Sequence, residues 1–338
     1  MIRFADPAAF AAALATLPKA DGASRDAAAD RQSRLTKPAG ALGRLEDIAV
    51  FMAGWQGCER PRVDTVQAVV FAGNHGVAAQ GVSAYPPEVT VQMVANFKTG
   101  GAAINALTKA CAADLSIVAL DLDRPTGDIT RAPAMSVEEC LDALNRGADS
   151  LREGTQLLLV GEMGIGNTTP AAALCAQALG GEVRDWIGRG TGLDDAGLAR
   201  KAAAVEAALA LHGPDCTTAF ETLRRLGGRE IAAMAGAILA ARLRRVPVLL
   251  DGFIASAAIA PLARDNPDLT QHCLAAHYSA EAGHTRLLAA LKLEPLLNLG
   301  LRLGEGTGAA LAVPIVRAAL AAHSEMATFQ EAAVAGGQ

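Results

Sequence analysis

The sequence is short of several things, and each shortage excludes a class of protein. Aromatic residues make up only 4% of the chain, so its core must be built from Ala, Leu, Val and Ile. The cysteines (Cys58, Cys111, Cys140, Cys175, Cys216 and Cys273) lie far apart and form no CxxC pair. That argues against a zinc knuckle or a thioredoxin-type dithiol, and for free thiols in a reducing compartment. There is no long basic run, and the net charge is -5. Neither nucleic acid nor an anionic membrane is expected as a partner, although a small basic pocket stays open. The start of the chain, MIRFADPAAF, carries Asp6 and lacks a signal-peptide core. No run has the length and purity expected of a membrane-spanning helix, so the expected location is the cytoplasm. No internal repeat is evident.

What the sequence does have is alanine and glycine. Hydrophobic residues reach 51%, much of the excess being alanine, which predicts many helices. With 338 residues the chain can bury a core of its own, as one large domain plus a small one or as two domains. Asp6-Pro7 reads as an N-cap and first helical position, with Phe10, Leu14 and Leu17 on one face. Residues 20–33 read as a second helix or a linker. Lys37-Pro38-Ala39-Gly40 breaks the chain, and Leu42, Leu45, Ile48 and Ala49 restart a helix.

Four short apolar runs then alternate with helical sequence: Val66–Phe71, Leu115–Leu120, Gln156–Val160 and Val246–Leu250. Each ends in a polar or glycine loop: Gly73-Asn74-His75-Gly76, Asp121, Gly161-Glu162-Met163-Gly164 and Asp251-Gly252. This pattern predicts an α/β fold with a parallel sheet and crossover helices. Ligands of such sheets sit beyond the carboxyl ends of the strands, so these glycines and carboxylates are expected to line one cleft. Pro314 falls within a C-terminal helical pattern and should kink it or mark a boundary, and Ala333–Gln338 reads as frayed.

The sharpest segment is Gly161-Glu162-Met163-Gly164-Ile165-Gly166-Asn167-Thr168-Thr169-Pro170. Asn167 stands where an NTPase loop requires lysine, and Thr169 stands where a dinucleotide fingerprint requires its third glycine. The physics survives both failures: backbone N–H groups at a helix start, beside threonine hydroxyls, bind phosphate well. The competing reading is a plain tight turn. A second loop, Gly188–Asp195, precedes a helix carrying Lys201, which on spacing alone reads as a solvated lysine and otherwise as a second cation for the same phosphate. Glu305, between glycines in Leu303-Gly304-Glu305-Gly306-Thr307-Gly308, is either a charge meeting a helix dipole or a general base. His75 reads as a histidine held at a turn rather than a catalyst. His277 and His284, seven residues apart, are compatible with one helix face; no acidic partner has zinc-motif spacing, so no metal site is expected.

Taken together, these segments resemble the nicotinate-nucleotide–dimethylbenzimidazole phosphoribosyltransferase family of cobalamin nucleotide-loop assembly. The resemblance rests on Lys37–Glu46, Gly73–Gly76 with Gly81–Pro86, Gly161–Thr169, Gly188–Gly192, Leu249–Ile254, His277–His284 and Leu303–Gly308, in order over about residues 35–312. It implies a Rossmann-like parallel-sheet domain over 34–304, with a small helical domain formed by both termini, 1–33 and 305–338, and a homodimer. It also implies that Glu305 is the base and that Glu162 stabilises the ribosyl centre. Gly164, Ile165, Gly166, Asn167, Thr168, Thr169, Lys201, Ser279 and Gly283 would hold the phosphoribosyl group, and Ser83, Tyr85, Glu88 and Leu303 would border the benzimidazole. The substrates would be nicotinate mononucleotide and a benzimidazole; no cofactor is implied. Because no diphosphate leaves, no magnesium is required. Two competing readings remain at this stage. One is a diphosphoribosyl-dependent transferase using Asp121, Asp123 and Mg²⁺, suggested by the weak loop match at Ile117–Gly127. The other is a nucleotide-sensing regulatory protein without turnover.

Overall fold

The computed structural model describes residues 2–190 and 192–335. Its centre is a single sheet of six parallel strands: β1 (Val66–Ala72), β2 (Asp114–Ala119), β3 (Leu157–Met163), β4 (Val248–Leu250), β5 (Cys273–His277) and β6 (Pro295–Leu297). Their order is β2-β1-β3-β4-β5-β6, so the chain runs to one edge first and then reverses across β1. The helices are α1 (Pro7–Ala15), α2 (Gly22–Arg34) and α3 (Arg44–Gln56) before the first strand, then α4 (Glu88–Thr99), α5 (Ala103–Ala110), α6 (Val137–Ser150) and α7 (Thr168–Leu179). They continue with α8 (Asp195–His212), α9 (Ala219–Leu226), α10 (Arg229–Leu243), α11 (Phe253–Ala257), α12 (Ala260–Asp265), α13 (His284–Ala290) and α14 (Thr307–Glu325).

The apolar runs form strands because both faces of the sheet are covered. Side chains alternate along each strand. Ala68, Val70, Leu157, Leu159 and Leu249 enter the core shared with α3, α4, α5 and α14. Val69, Phe71, Leu158, Val160 and Leu250 enter the core shared with α6 to α12. All seven residues of β1 are buried, paired in register with β3 from Val66↔Leu157 to Ala72↔Met163.

The four anticipated strands are present within a few residues. β5 and β6 were not anticipated. β5 reads CLAAH, whose alanines favour helix when taken alone, and β6 is a three-residue edge strand opening on proline, a position sheets tolerate. Residues 22–34 form a helix rather than a linker.

Two features of the C-terminal helix bear on the expectations. Pro314 lies inside α14 without ending it, so it marks no boundary. α14 is also long and apolar enough to cross a membrane, with a mean hydropathy of 1.2. That apolarity is used internally, through Ala309, Val313, Val316 and Leu320 against the sheet. The far end of α14 is tied to the start of the chain: buried Arg31 donates to the carbonyls of His323, Ser324 and Met326. α1 lies elsewhere, with Phe10 edge-on to Phe4 and Phe220 at ring separations of 5.3 and 6.2 Å. Within the segment expected to be frayed, residues 336–338 lie outside the described residues.

Candidate active site

Beyond the carboxyl ends of β3, β4, β5 and β6 lies a crevice. Each strand contributes where it ends: Glu162 and Gly164 from β3, Asp251 and Gly252 from β4, His277 and Ser279 from β5, and Leu303 and Gly304 after β6.

One wall is built on the start of α7. Gly164 and Ile165–Asn167 turn the chain from β3 into the helix, and Gly164 lies so close to the Gly73 carbonyl that a Cβ would approach to 2.7 Å. The Gly166 and Thr168 N–H groups have no partner among the described residues and border the crevice, as helix-start donors do before an anion arrives. Thr90 Oγ1 accepts the Ile165 N–H at 3.1 Å and pins the loop from behind. Lys201 is 1% exposed, so its reading as a solvated lysine fails. Its Nζ donates to Thr168 Oγ1 and to the Gly188 carbonyl, each at 3.0 Å. Burial lowers it to about 8, opposed by the charge of Glu281.

Glu162 joins this wall to the opposite one. Its Oε2 accepts from Asn167 Nδ2 at 2.5 Å, and its Oε1 lies where a Cβ on Gly304 would meet it. Burial is the main reason its carboxyl rises to about 8, reinforced by Asp251, Glu230 and Glu305 and opposed by the Asn167 hydrogen bond.

Glu305 sits directly behind Gly304 and is 4% exposed. Its backbone carbonyl packs against Gly161 of β3, where any Cβ would collide with it. Its Oε2 is buried without a partner among the described residues, and burial raises its carboxyl, opposed by the Ile104 N–H. Glu305 does not itself line the crevice; its neighbour Gly304 does, beside Glu162 and at the same end of the sheet as the anion cradle.

The other expected site residues divide. Ser83, Ser279 and Leu303 line the crevice with the Gly164–Thr168 loop and Lys201. Thr169, Gly283, Tyr85 and Glu88 do not. Thr169 is fully buried in α7, Gly283 is packed under Trp186 and Phe253, and Tyr85 and Glu88 are exposed. His277 and His284 do not share a helix face: the first ends β5 and the second begins α13, with their rings 6.3 Å apart. Burial lowers His284 to about 3, with His277 adding to the effect. The neutral ring then accepts the Ser279 N–H at 3.0 Å on Nδ1 and faces Ser256 Oγ at 3.3 Å with Nε2, so it fixes the Ser279 backbone. His75 is held at its turn by buried Glu230, at 2.6 Å.

Asp121 does not join the cleft. It ends an edge strand, where Arg124 and Arg146 occupy its carboxylate at 2.6 and 3.4 Å, which removes support for a metal–diphosphate site there. Arg189, His277 and Arg302 line the crevice without having been singled out as site residues. The rule that ligands gather at strand ends would have found His277, had β5 been recognised.

Known proteins resemble the chain over nearly its whole length. A family model described as phosphoribosyltransferase matches residues 17–334. A nicotinate-nucleotide–dimethylbenzimidazole phosphoribosyltransferase from Novosphingobium aromaticivorans is 61% identical over 337 residues, covering 100% of both chains. A protein of the same name from a Ruegeria species is 58% identical, covering 97% of each. The crystal structure of CobT from Thermus thermophilus superposes with a TM-score of 0.89 at 43% identity, covering 93% of this chain and 100% of the other.

Proposed function

The chain belongs to the nicotinate-nucleotide–dimethylbenzimidazole phosphoribosyltransferase family, and on that premise we propose how its crevice carries the transfer. The reaction moves 5-phosphoribosyl from nicotinate mononucleotide to 5,6-dimethylbenzimidazole, giving nicotinate and α-ribazole 5′-phosphate for the lower ligand of cobalamin. The phosphate sits at the start of α7, taking the Gly166 and Thr168 N–H groups and Lys201. Ser279 borders the nucleotide. The ring nitrogen of the donor is cationic while bonded to ribose and leaves as a neutral pyridine nitrogen, so the departure needs no acid.

As the C1′–nitrogen bond breaks, positive charge grows on the ribosyl centre, and Glu162 stabilises it electrostatically. One benzimidazole nitrogen attacks the opposite face of C1′, which inverts the anomeric carbon. The other nitrogen then carries an acidic N–H, and Glu305 takes that proton. The observation that supports this reading is the buried, unpartnered Glu305 oxygen one residue past Gly304, which lines the crevice with the helix-start anion cradle; Glu305 itself stands outside the unliganded lining. Ser83 and Leu303 would border the acceptor, with Tyr85 and Glu88 outside the unliganded crevice.

The cytoplasm is the proposed setting, supported by six cysteines that are all free. A homodimer is proposed as well, for which exposed Leu299, Leu303, Tyr85 and Val91 offer apolar surface to cover. A small helical domain from both termini, 1–33 and 305–338, is proposed too, supported by Arg31 of α2 reaching the carbonyls at the end of α14, while α1 packs elsewhere, against α9.

The test is incubation with nicotinate mononucleotide and 5,6-dimethylbenzimidazole in EDTA, with mass detection of the riboside phosphate. Product is expected from the native chain. Glu305→Gln should stay folded and turn over about 10²–10⁴-fold more slowly, the usual worth of a general base. Near-normal turnover of that variant would remove Glu305 from the role.

A further inference from the structure

We infer that Asp251 is a positioning residue for this transfer: it fixes the turn that aims Glu305 and acts through it. The inference rests on Glu305 being the base.

Asp251 ends β4 and is 2% exposed. Its Oδ2 accepts the Gly306 N–H at 3.1 Å and its Oδ1 accepts the Ala309 N–H at 2.9 Å. The carboxylate thus ties a central strand to the first turn of α14. That helix has no side-chain cap of its own, because its N-cap is Gly306. The residues it would otherwise leave loose are unusual: Gly304, Glu305 and Gly306 follow one another at φ of 86, 63 and 89°. Three consecutive left-handed residues hold one shape only if the surroundings determine it. Gly161 of β3 supports the turn at the Glu305 carbonyl, and Asp251 supports it one residue later. His277 stands 3.7 Å from Asp251 and is wedged against Gly308, which closes the far side of the clamp. A base displaced by about 1 Å forfeits up to about 10²-fold in rate, so the clamp matters to chemistry as well as to the helix.

Asparagine separates the two roles. Asp251→Asn keeps a single acceptor oxygen where the carboxylate offers two, so only one of the Gly306 and Ala309 N–H groups stays paired. One capping bond remains while the two-point clamp on the Glu305 turn is lost. The folded variant should lose about tenfold in kcat with the KM for nicotinate mononucleotide unchanged. Combined with Glu305→Gln, it should be no slower than Glu305→Gln alone, because the two residues act in series. Asp251→Ala should be slower than Asp251→Asn; if it fails to fold, the asparagine variant carries the test.

A folded Asp251→Asn with normal kcat, beside a slow Glu305→Gln, would overturn this inference alone. A double variant about tenfold slower than Glu305→Gln would overturn it too, since Asp251 would then act on the reaction independently. A fast Glu305→Gln would end the base assignment and this inference with it.

Discussion

The two sides of the proposed site are built to opposite standards. On the proposed donor wall, Glu162, Asn167, Lys201 and Ser279 are all buried, and each makes a hydrogen bond to a neighbour. On the proposed acceptor side, Tyr85 and Glu88 lie outside the crevice and face solvent, Tyr85 at 52% exposure, and Leu303, which lines it, is 59% exposed. A dianionic phosphate is strongly hydrated, so only donors already fixed and dry replace its water without a reorganisation cost. A flat apolar base needs only area, which comes into being as the base is covered. Under the proposed assignment, the difference teaches that donor identity is set by the fold, and acceptor identity by surfaces completed on binding.

The largest test of that contrast lies on the donor wall. Lys201→Met should raise the KM for nicotinate mononucleotide about 10–100-fold, the worth of a charge-assisted hydrogen bond. The KM for the riboside lacking phosphate should not move; equal losses on both would break the phosphate assignment. The same residue sets a pH dependence. Burial lowers Lys201 to about 8 from 10.5, so between those values the folded chain has released a proton that the unfolded chain keeps. Its contribution to stability therefore rises with pH across that window, and Lys201→Met should remove that slope in thermal melts taken from pH 8 upward.

A smaller effect concerns Glu162. With its carboxyl raised to about 8, it holds its proton at neutral pH until the cationic ring of the donor favours the charged form. Donor binding at pH 7 should release up to about one proton per site, read by calorimetry in buffers of different ionisation heat. Glu162→Gln should abolish that release; proton release persisting in that variant would separate Glu162 from the donor. The smallest effect belongs to the acceptor wall. Tyr85→Ala should raise the benzimidazole KM by no more than about threefold, as exposed substitutions do, and leave the donor KM alone. A hundredfold loss would mean that this wall is closed in the working enzyme.

The donor wall was the more legible of the two in the sequence. A strand, a glycine turn and a helix start follow one another between Leu157 and Thr168, and anion binding at such a junction is local physics. Lys201 was ambiguous for the converse reason. Nothing in a helix lysine's neighbours along the chain says that Gly188 and Thr168 will close over it, because burial is a tertiary property. β5 and β6 escaped because short alanine-rich or proline-led runs carry no period-two pattern, and His277 escaped with them. Asp251 was placed in the cleft as a strand-end carboxylate, yet its attachment to α14 spans more than fifty residues and leaves no trace in spacing. The acceptor residues came from the family resemblance alone, since Tyr85 and Glu88 have no local signature to distinguish them from any exposed loop.

The left-handed backbone of Glu305 has a further consequence. An L-residue other than glycine or asparagine is disfavoured there by about 1–2 kcal/mol, and its carboxyl is dehydrated besides. Glycine at this position would relieve both, so a library screened only for heat resistance should discard the proposed proton acceptor among its first gains. Thermostable variants of this protein are best selected with turnover in the screen from the first round.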